Sequence, residues 1–335
     1  MRIGINAFFL KRPETGSGQY TRHLLEALAK ADSANEYVLF SPGSAPRSFR
    51  IRNLSENLAK LWFEQISFPR ACRRLDLAHV PYFASPLFPT TPTVVTIHDL
   101  IPLILPAYRG SLLMRAYTHL VAEAAKRADA VIADSQASKR DTIRLLGIPP
   151  ERVHVVYLAA DEAFRLLGDD ALMAAVRRKY NLPPSYFLYL GGFDQRKNIP
   201  TLLRAFVLLG SKHVKIVIAG RLPERDTPFF PNPRRLVCEF GLEGKVTFTG
   251  WVPEEDKPAL YSGARAFIFP SLYEGFGLPV LEAMTCGTPV IASDRTSLPE
   301  VVGEGGILVN PEDAEGMVEA MEVLLDDDFR AELGR

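Results

Sequence analysis

The chain has little cysteine, no excess of charge of either sign and no long apolar run. Three cysteines, Cys72, Cys238 and Cys286, occur in 335 residues. They are odd in number, far apart and set in apolar sequence, which excludes a disulfide framework and zinc spacing and predicts reduced thiols in a cytoplasmic protein. The most apolar stretch, Val94 to Pro106, contains His98, Asp99 and two prolines, so it cannot span a bilayer. The N-terminus opens directly into strand-like sequence at Arg2, with none of the basic, apolar and small-residue regions of a secretory signal. Thirty-nine basic residues balance thirty-nine acidic ones, which argues against a general nucleic-acid binder. The balance conceals unequal halves. Residues 1–170 hold 21 Lys and Arg against 17 Asp and Glu, a net of +4, and residues 171–335 hold 18 against 22, a net of −4.

What is present is the composition of a soluble globular protein, 47% hydrophobic and 23% charged, long enough for about two domains. Short apolar runs alternate with helical periodicity along the whole chain. Strands are predicted near Arg2–Phe8, Tyr37–Ser41, Leu77–Val80, Thr93–Ile97, Ala130–Ala133 and Val153–Val156. The scheme restarts at Tyr186–Leu190, Lys215–Ala219, Lys245–Phe248, Ala266–Phe269, Val290–Ala292 and Gly306–Val309. This is an α/β pattern of two doubly wound, Rossmann-like domains, with a boundary expected in Phe164–Pro184 and domains of 1–165 and 166–335. Ligands of such sheets bind beyond the carboxyl ends of the strands, so a central cleft between the two domains is the expected place of the chemistry.

Two segments carry the chemistry. Glu274-Gly275-Phe276-Gly277-Leu278-Pro279 follows an apolar strand, and Pro279 suits the first residue of a helix. The glycines permit close backbone approach, and the helix start offers free amides to a phosphate. Glu274 and Glu282 flank that anion site, where they are suited to sugar hydroxyls. For Glu282 the competing reading is an acid in the first helical turn complementing the dipole. The second segment, Gly191-Gly192-Phe193-Asp194-Gln195-Arg196-Lys197-Asn198, places a donor fork and a point charge at a strand end, the equipment to neutralise a diphosphate.

Together these segments resemble the family 4 glycosyltransferases, retaining enzymes of the GT-B fold that use nucleotide-sugar donors. Gly16-Ser17-Gly18-Gln19-Tyr20-Thr21, Thr96-Ile97-His98-Asp99-Leu100 and Val131-Ile132-Ala133-Asp134-Ser135-Gln136 extend the likeness over nearly the whole chain. The resemblance implies that Arg196 and Lys197 hold the donor diphosphate, and that Glu274 and the Phe276–Leu278 backbone, including Gly277, grip the sugar and phosphate. It further implies that Glu282 binds the ribose and that the main chain at Trp251 and Val252 reads the base. The Trp251 side chain is expected to pack. Gly16 and Gly18 lie in the loop that approaches the phosphate, and a neutral His98 meets the reacting sugar on the acceptor side. The His98-Asp99 loop resembles bacterial mannosyltransferases of polysaccharide assembly, which makes GDP-mannose the preferred donor, UDP-glucose the next, and a saccharide or lipid-linked saccharide the acceptor. No other cofactor and no nucleic acid are implied. The chain stops at Arg335 short of the helix with which the family crosses back to its first domain, so that helix is expected to be missing.

Gly16-x-Gly18 fails as a dinucleotide fingerprint because Thr21 replaces the third glycine. The six histidines lack ligand spacing, and the Asp-x-Asp at Asp326–Asp328 reads as a solvated helix end, so no metal is expected. Leu58, Leu61, Trp62 and Ile66, followed by Arg70, Arg73 and Arg74, form an amphipathic basic stretch. It is read as a core-facing stripe, with peripheral contact at the inner face of a membrane as the alternative.

Overall fold

The computed structural model describes residues 1–12, 15–42, 56–168, 170–210, 213–328 and 334. It divides into two compact units, Met1–Tyr157 and Leu158–Arg335. Phe164 and Ala160 pack into a core of the second unit, so the segment 158–165, assigned from sequence to the first domain, lies with the second.

The first unit holds β1 (Arg2–Asn6), β2 (Glu36–Phe40), β3 (Leu77–Val80), β4 (Thr93–Ile97), β5 (Ala130–Ala133) and β6 (Val153–Val155), ordered β2-β1-β3-β4-β5-β6. The second holds β7 (Tyr186–Leu190), β8 (Lys215–Ala219), β9 (Val246–Gly250), β10 (Ala266–Phe269), β11 (Val290–Ser293) and β12 (Gly306–Val309), ordered β12-β11-β10-β7-β8-β9. All the pairings are parallel. Strands with both faces covered read as near-continuous apolar runs, and β7, Tyr-Phe-Leu-Tyr-Leu, is buried throughout. Alternation still sorts its side chains. Phe187 and Tyr189 join Ile216, Ile218 and Ile268 in one core, while Tyr186, Leu188 and Leu190 join Val217, Phe267 and Phe269 in the other.

In both sheets the order reverses once, between β1 and β3 and between β7 and β10. Neighbouring loops part company at such a point and leave room for a ligand. Three local differences bear on the site. A helix begins at Gly16, where a loop was expected, because Thr15 caps it by accepting from the Gly18 amide at 3.1 Å. The helix expected from Pro279 begins at Leu278, with Pro279 second. The amphipathic stretch from Leu58 to Arg74 is not one regular helix but holds Glu56–Trp62, a π turn at Phe63–Ser67 and Phe68–Cys72. Of the cysteines, Cys72 and Cys286 are buried and burial pushes both thiols up to about 12. Cys238, expected in apolar surroundings, is exposed.

Candidate functional site

The loops after β7 and β10 run side by side because their strands are neighbours, and the Leu272 amide donates to the Arg196 carbonyl at 2.8 Å. A 3-10 turn at Gln195–Lys197, closed by Asn198 in the left-handed region, sets the two cations at the switch point. Asn198 is held there by its side-chain amide, which donates to the carbonyls of Pro270 and Pro311. Both cations converge on one carboxylate. Arg196 Nη1 lies 2.6 Å from Glu274 Oε2 and Lys197 Nζ lies 2.6 Å from Glu274 Oε1. Arg196 also donates to the Tyr273 carbonyl at 2.8 Å and stands 3.4 Å from Asp194, and the Lys197 ammonium sits 4.6 Å from the centre of the Phe269 ring. Burial alone pushes the Glu274 carboxyl up, but Lys197 and Arg196 outweigh it and hold it below its usual range. Lys197 is held below its ordinary value because burial, with Arg196 beside it, outweighs the attraction of Glu274.

The backbone beyond Glu274 is fixed from β11's end of the sheet. Thr296 accepts from the Glu274 amide at 3.0 Å, and Ser297 donates to the carbonyls of Glu274 and Phe276 at 3.0 and 2.7 Å. Gly277 has a φ of 113°, and a Cβ there would fall 2.6 Å from Leu298. Only glycine combines that dihedral with that proximity. Phe276 is buried and Leu278 half-buried.

Glu282 differs from Glu274 in every respect except burial. It is the fifth residue of its helix and lies past the first turn, so the dipole reading fails. Tyr261 donates to Glu282 Oε2 at 3.0 Å. Burial pushes this carboxyl up to about 7 against the opposing pull of Lys257 and of the Tyr261 hydrogen bond. After β9, Val252 is buried, but the Trp251 side chain, expected to pack, is 62% exposed.

In the first unit, His98 follows β4 and Asp134 follows β5. His98 Nδ1 is 2.7 Å from Asp134 Oδ2, and Nε2 is 3.3 Å from the Pro81 carbonyl. Both ring nitrogens thus face acceptors, which the imidazolium satisfies and a neutral ring cannot. Burial disfavours the charge, yet Asp134, Asp99 and Pro81 prevail and raise His98 above 6.5. This geometry favours the imidazolium over the neutral imidazole expected from sequence. Tyr20 meets the His98 ring edge-on at 4.6 Å and His79 bonds Thr96 at 3.0 Å. His79 itself, buried and near that charge, is pushed down to about 4.

Gly16 and Gly18 belong to the first helical turn and not to a loop. A Cβ on Gly18 would meet the Arg12 carbonyl oxygen at 2.1 Å, whereas Gly16 faces open space. Glycine at position 18 is therefore demanded by its own chain. Sequence reading gave Asp134, Tyr20 and His79 no individual role. Asp134 carries the same signal as His98, a polar residue directly after an apolar strand. Among the described residues no three His, Cys, Asp or Glu side chains cluster as a metal site, and no helix is long and apolar enough to cross a membrane.

Comparison with known proteins bears on both units. Residues 15–164 match the family described as Glycosyltransferase Family 4, and residues 174–335 match Glycosyl transferases group 1. The chain is 32% identical over 348 residues to O-antigen chain mannosyltransferase B of Escherichia coli, covering 96% of this chain and 90% of that one. Its fold is similar to that of sucrose-phosphate synthase from Thermosynechococcus elongatus (TM-score 0.73, 24% identity, 100% and 92% coverage). It is equally similar to HepE of Anabaena, solved with UDP and glucose (TM-score 0.73, 19% identity, 100% and 92% coverage). A relative of that identity along nearly the full length of both proteins, and fold neighbours of GT-B type, settle the family: the chain belongs to the family 4 glycosyltransferases and is a hexosyltransferase.

Proposed function

We propose that this hexosyltransferase takes its sugar from a nucleoside diphosphate, GDP-mannose for preference and UDP-glucose as the alternative. It delivers the hexose with retained anomeric configuration to a saccharide or lipid-linked saccharide. The observation that carries the reading is the convergence of Arg196 and Lys197 on Glu274 at the switch point of the second sheet. The preference for mannose rests on the mannosyltransferase relative.

As the bond from the anomeric carbon to the diphosphate breaks, negative charge grows on the leaving group. Arg196, Lys197 and the amides at Phe276–Leu278 stabilise it where it develops. The acceptor hydroxyl bonds the same face of that carbon and its proton passes to a leaving diphosphate oxygen, so neither an enzyme nucleophile nor a resident metal is required. Glu274 serves twice in this reading. It fixes the two cations and accepts hydrogen bonds from donor-sugar hydroxyls. Glu282 takes the ribose diol, the main chain at Trp251 and Val252 takes the base, and the helix start at Gly16 and Gly18 approaches the phosphate. His98, as an imidazolium, donates to a sugar hydroxyl by exchanging its long contact with Pro81.

The test is nucleotide release from a panel of GDP- and UDP-sugars with saccharide acceptors, with and without EDTA, and the product anomer assigned by NMR. GDP release from GDP-mannose that withstands EDTA, with the anomer retained, is the expected result. No release from any sugar nucleotide would leave an inert binding protein, and an inverted product would overturn the mechanism.

A further inference from the structure

The two loops that carry Arg196, Lys197 and Glu274 are braced by a third. Beyond β11 the chain turns tightly at Arg295–Leu298, where the Leu298 amide donates to the Arg295 carbonyl at 3.2 Å. Thr296 stands at a φ of 57°, and Ser297 follows at φ −89° and ψ −15°. A positive φ followed by such angles is the pattern of a II′ turn, whose first central position favours glycine. A β-branched residue there is strained. Neighbours hold the turn in this shape. The Arg295 amide donates to Ser293 Oγ at 3.1 Å, and its guanidinium reaches Asn310 at 3.1 Å and Glu312 at 3.4 Å. Strained backbone persists only where its surroundings enforce it, and such places cluster at functional sites.

What threonine adds at a glycine position is a hydroxyl. Thr296 Oγ1 accepts from the Glu274 amide at 3.0 Å. A trans peptide is planar, with its amide and its carbonyl on opposite edges. Taking the amide of the Tyr273–Glu274 peptide therefore sends the Tyr273 carbonyl the other way, and there it meets Arg196 Nη1 at 2.8 Å. Through one peptide plane the hydroxyl fixes both the Arg196 guanidinium and the root of the Glu274 side chain, whose carboxylate receives Arg196 and Lys197. Ser297 completes the grip further along. Its buried hydroxyl reaches the Phe276 carbonyl at 2.7 Å, which turns the Gly277 amide of that peptide away from the brace.

We propose that Thr296 is a positioning residue of the transferase: at a cost to the fold, its hydroxyl sets the Tyr273–Glu274 peptide and through it the alignment of Arg196 and Glu274. The inference rests on the donor reading given above. It adds to that reading a residue that touches no substrate.

The test compares three substitutions in the full chain by melting temperature, by nucleotide release from GDP-mannose and UDP-glucose, and by GDP and UDP calorimetry. Thr296→Gly removes hydroxyl and strain together, Thr296→Val removes the hydroxyl and keeps the strain, and Thr296→Ser keeps the hydroxyl. The glycine variant should melt above the valine variant, yet both should lose ~tenfold in kcat and kcat/KM together. The serine variant should turn over as wild type does. Should the valine variant not fold, the glycine and serine variants decide alone. Wild-type kcat in a folded glycine or valine variant overturns the proposal, and so does a serine variant as slow as those two. Rates that rank with melting temperature, glycine well above valine, overturn it as well, because the role would then be structural. Failure of the donor reading looks different: wild-type protein would bind neither GDP nor UDP, and the part assigned to Thr296 would fall with it.

Discussion

At the ends of β7 and β10 two cations share one carboxylate, whereas at the ends of β4 and β5 one imidazole is held between a carboxylate and a carbonyl. Both arrangements place positive charge at the carboxyl edge of a parallel sheet, but they hold it differently. The guanidinium of Arg196 stays charged at every relevant pH, and Glu274, held below its usual range, remains its counter-charge. The charge on His98 exists only while Asp134 and its neighbours outweigh burial. One edge is thus built for permanent charge and the other for charge that depends on pH.

The largest expected effect comes from unbalancing the second edge. Glu274→Gln leaves two nearly buried cations without their shared anion, and breaking such a pair costs about 3–5 kcal/mol, measured by denaturant unfolding. A loss under ~1 kcal/mol would mean that Asp194 balances the cations unaided. Arg196→Ala should separate rate from stability, because Glu274 keeps Lys197. Turnover should fall about 10²–10³-fold while the unfolding midpoint moves little. Near-normal turnover by a folded variant would remove Arg196 from the leaving-group site.

Glu282 offers a contrast within the second unit. Its folded value near 7 stands above the 4.5 of an ordinary carboxyl, so the folded state binds more protons between these values. Wild-type stability therefore falls as pH rises from about 4.5 to about 7 on this account. Glu282→Gln should abolish that slope and gain on the order of 2–3 kcal/mol at pH 8, with little difference at pH 4. It should also weaken nucleoside diphosphate binding in calorimetry. Equal nucleotide affinity in both proteins would withdraw Glu282 from the ribose.

The smallest effect belongs to the first edge. His98→Ala should lower kcat and kcat/KM together by about 10–100-fold, the worth of one charge-assisted hydrogen bond. Because His98 is raised above its ordinary value, its charge persists to higher pH than that of a free imidazole and is lost as pH rises through the folded value. Activity should accordingly fall on the alkaline side, and Asp134→Asn should move that fall to lower pH. An Asp134→Asn profile identical to wild type would disconnect His98's charge from the reaction and erase the contrast between the edges.

Much of this molecule was legible before its structure. The apolar runs marked the twelve strands of the described residues to within two residues at either end, because parallel strands buried on both faces read as near-continuous apolar runs. The strand ends also located His98, Arg196, Lys197 and Glu274. Patterning failed where two structures share one pattern. Leu58, Leu61, Trp62 and Ile66 have the spacing of a core stripe, yet they line an open groove because Phe63 and Phe68, out of step through a π turn, take the core positions. Gly16 and Gly18 read as a loop, but Thr15 supplies the cap that makes them helical.

The sequence by itself determined the strand–helix alternation, the two-unit plan and the strand ends at which chemistry collects, because these follow from local periodicity and from turn residues. Tertiary structure alone decided which charges meet. Lys197 and Glu274 are 77 residues apart, and His98 and Asp134 are 36 apart. They meet only because β7 lies beside β10 and β4 beside β5. Burial then set their charge states. Two carboxylates eight residues apart in one segment end up on opposite sides of the usual value, since two contacting cations outweigh burial for one, while for the other burial outweighs Lys257 and a phenol. Desolvation and partner choice are properties of the packed chain, and no window of sequence contains them.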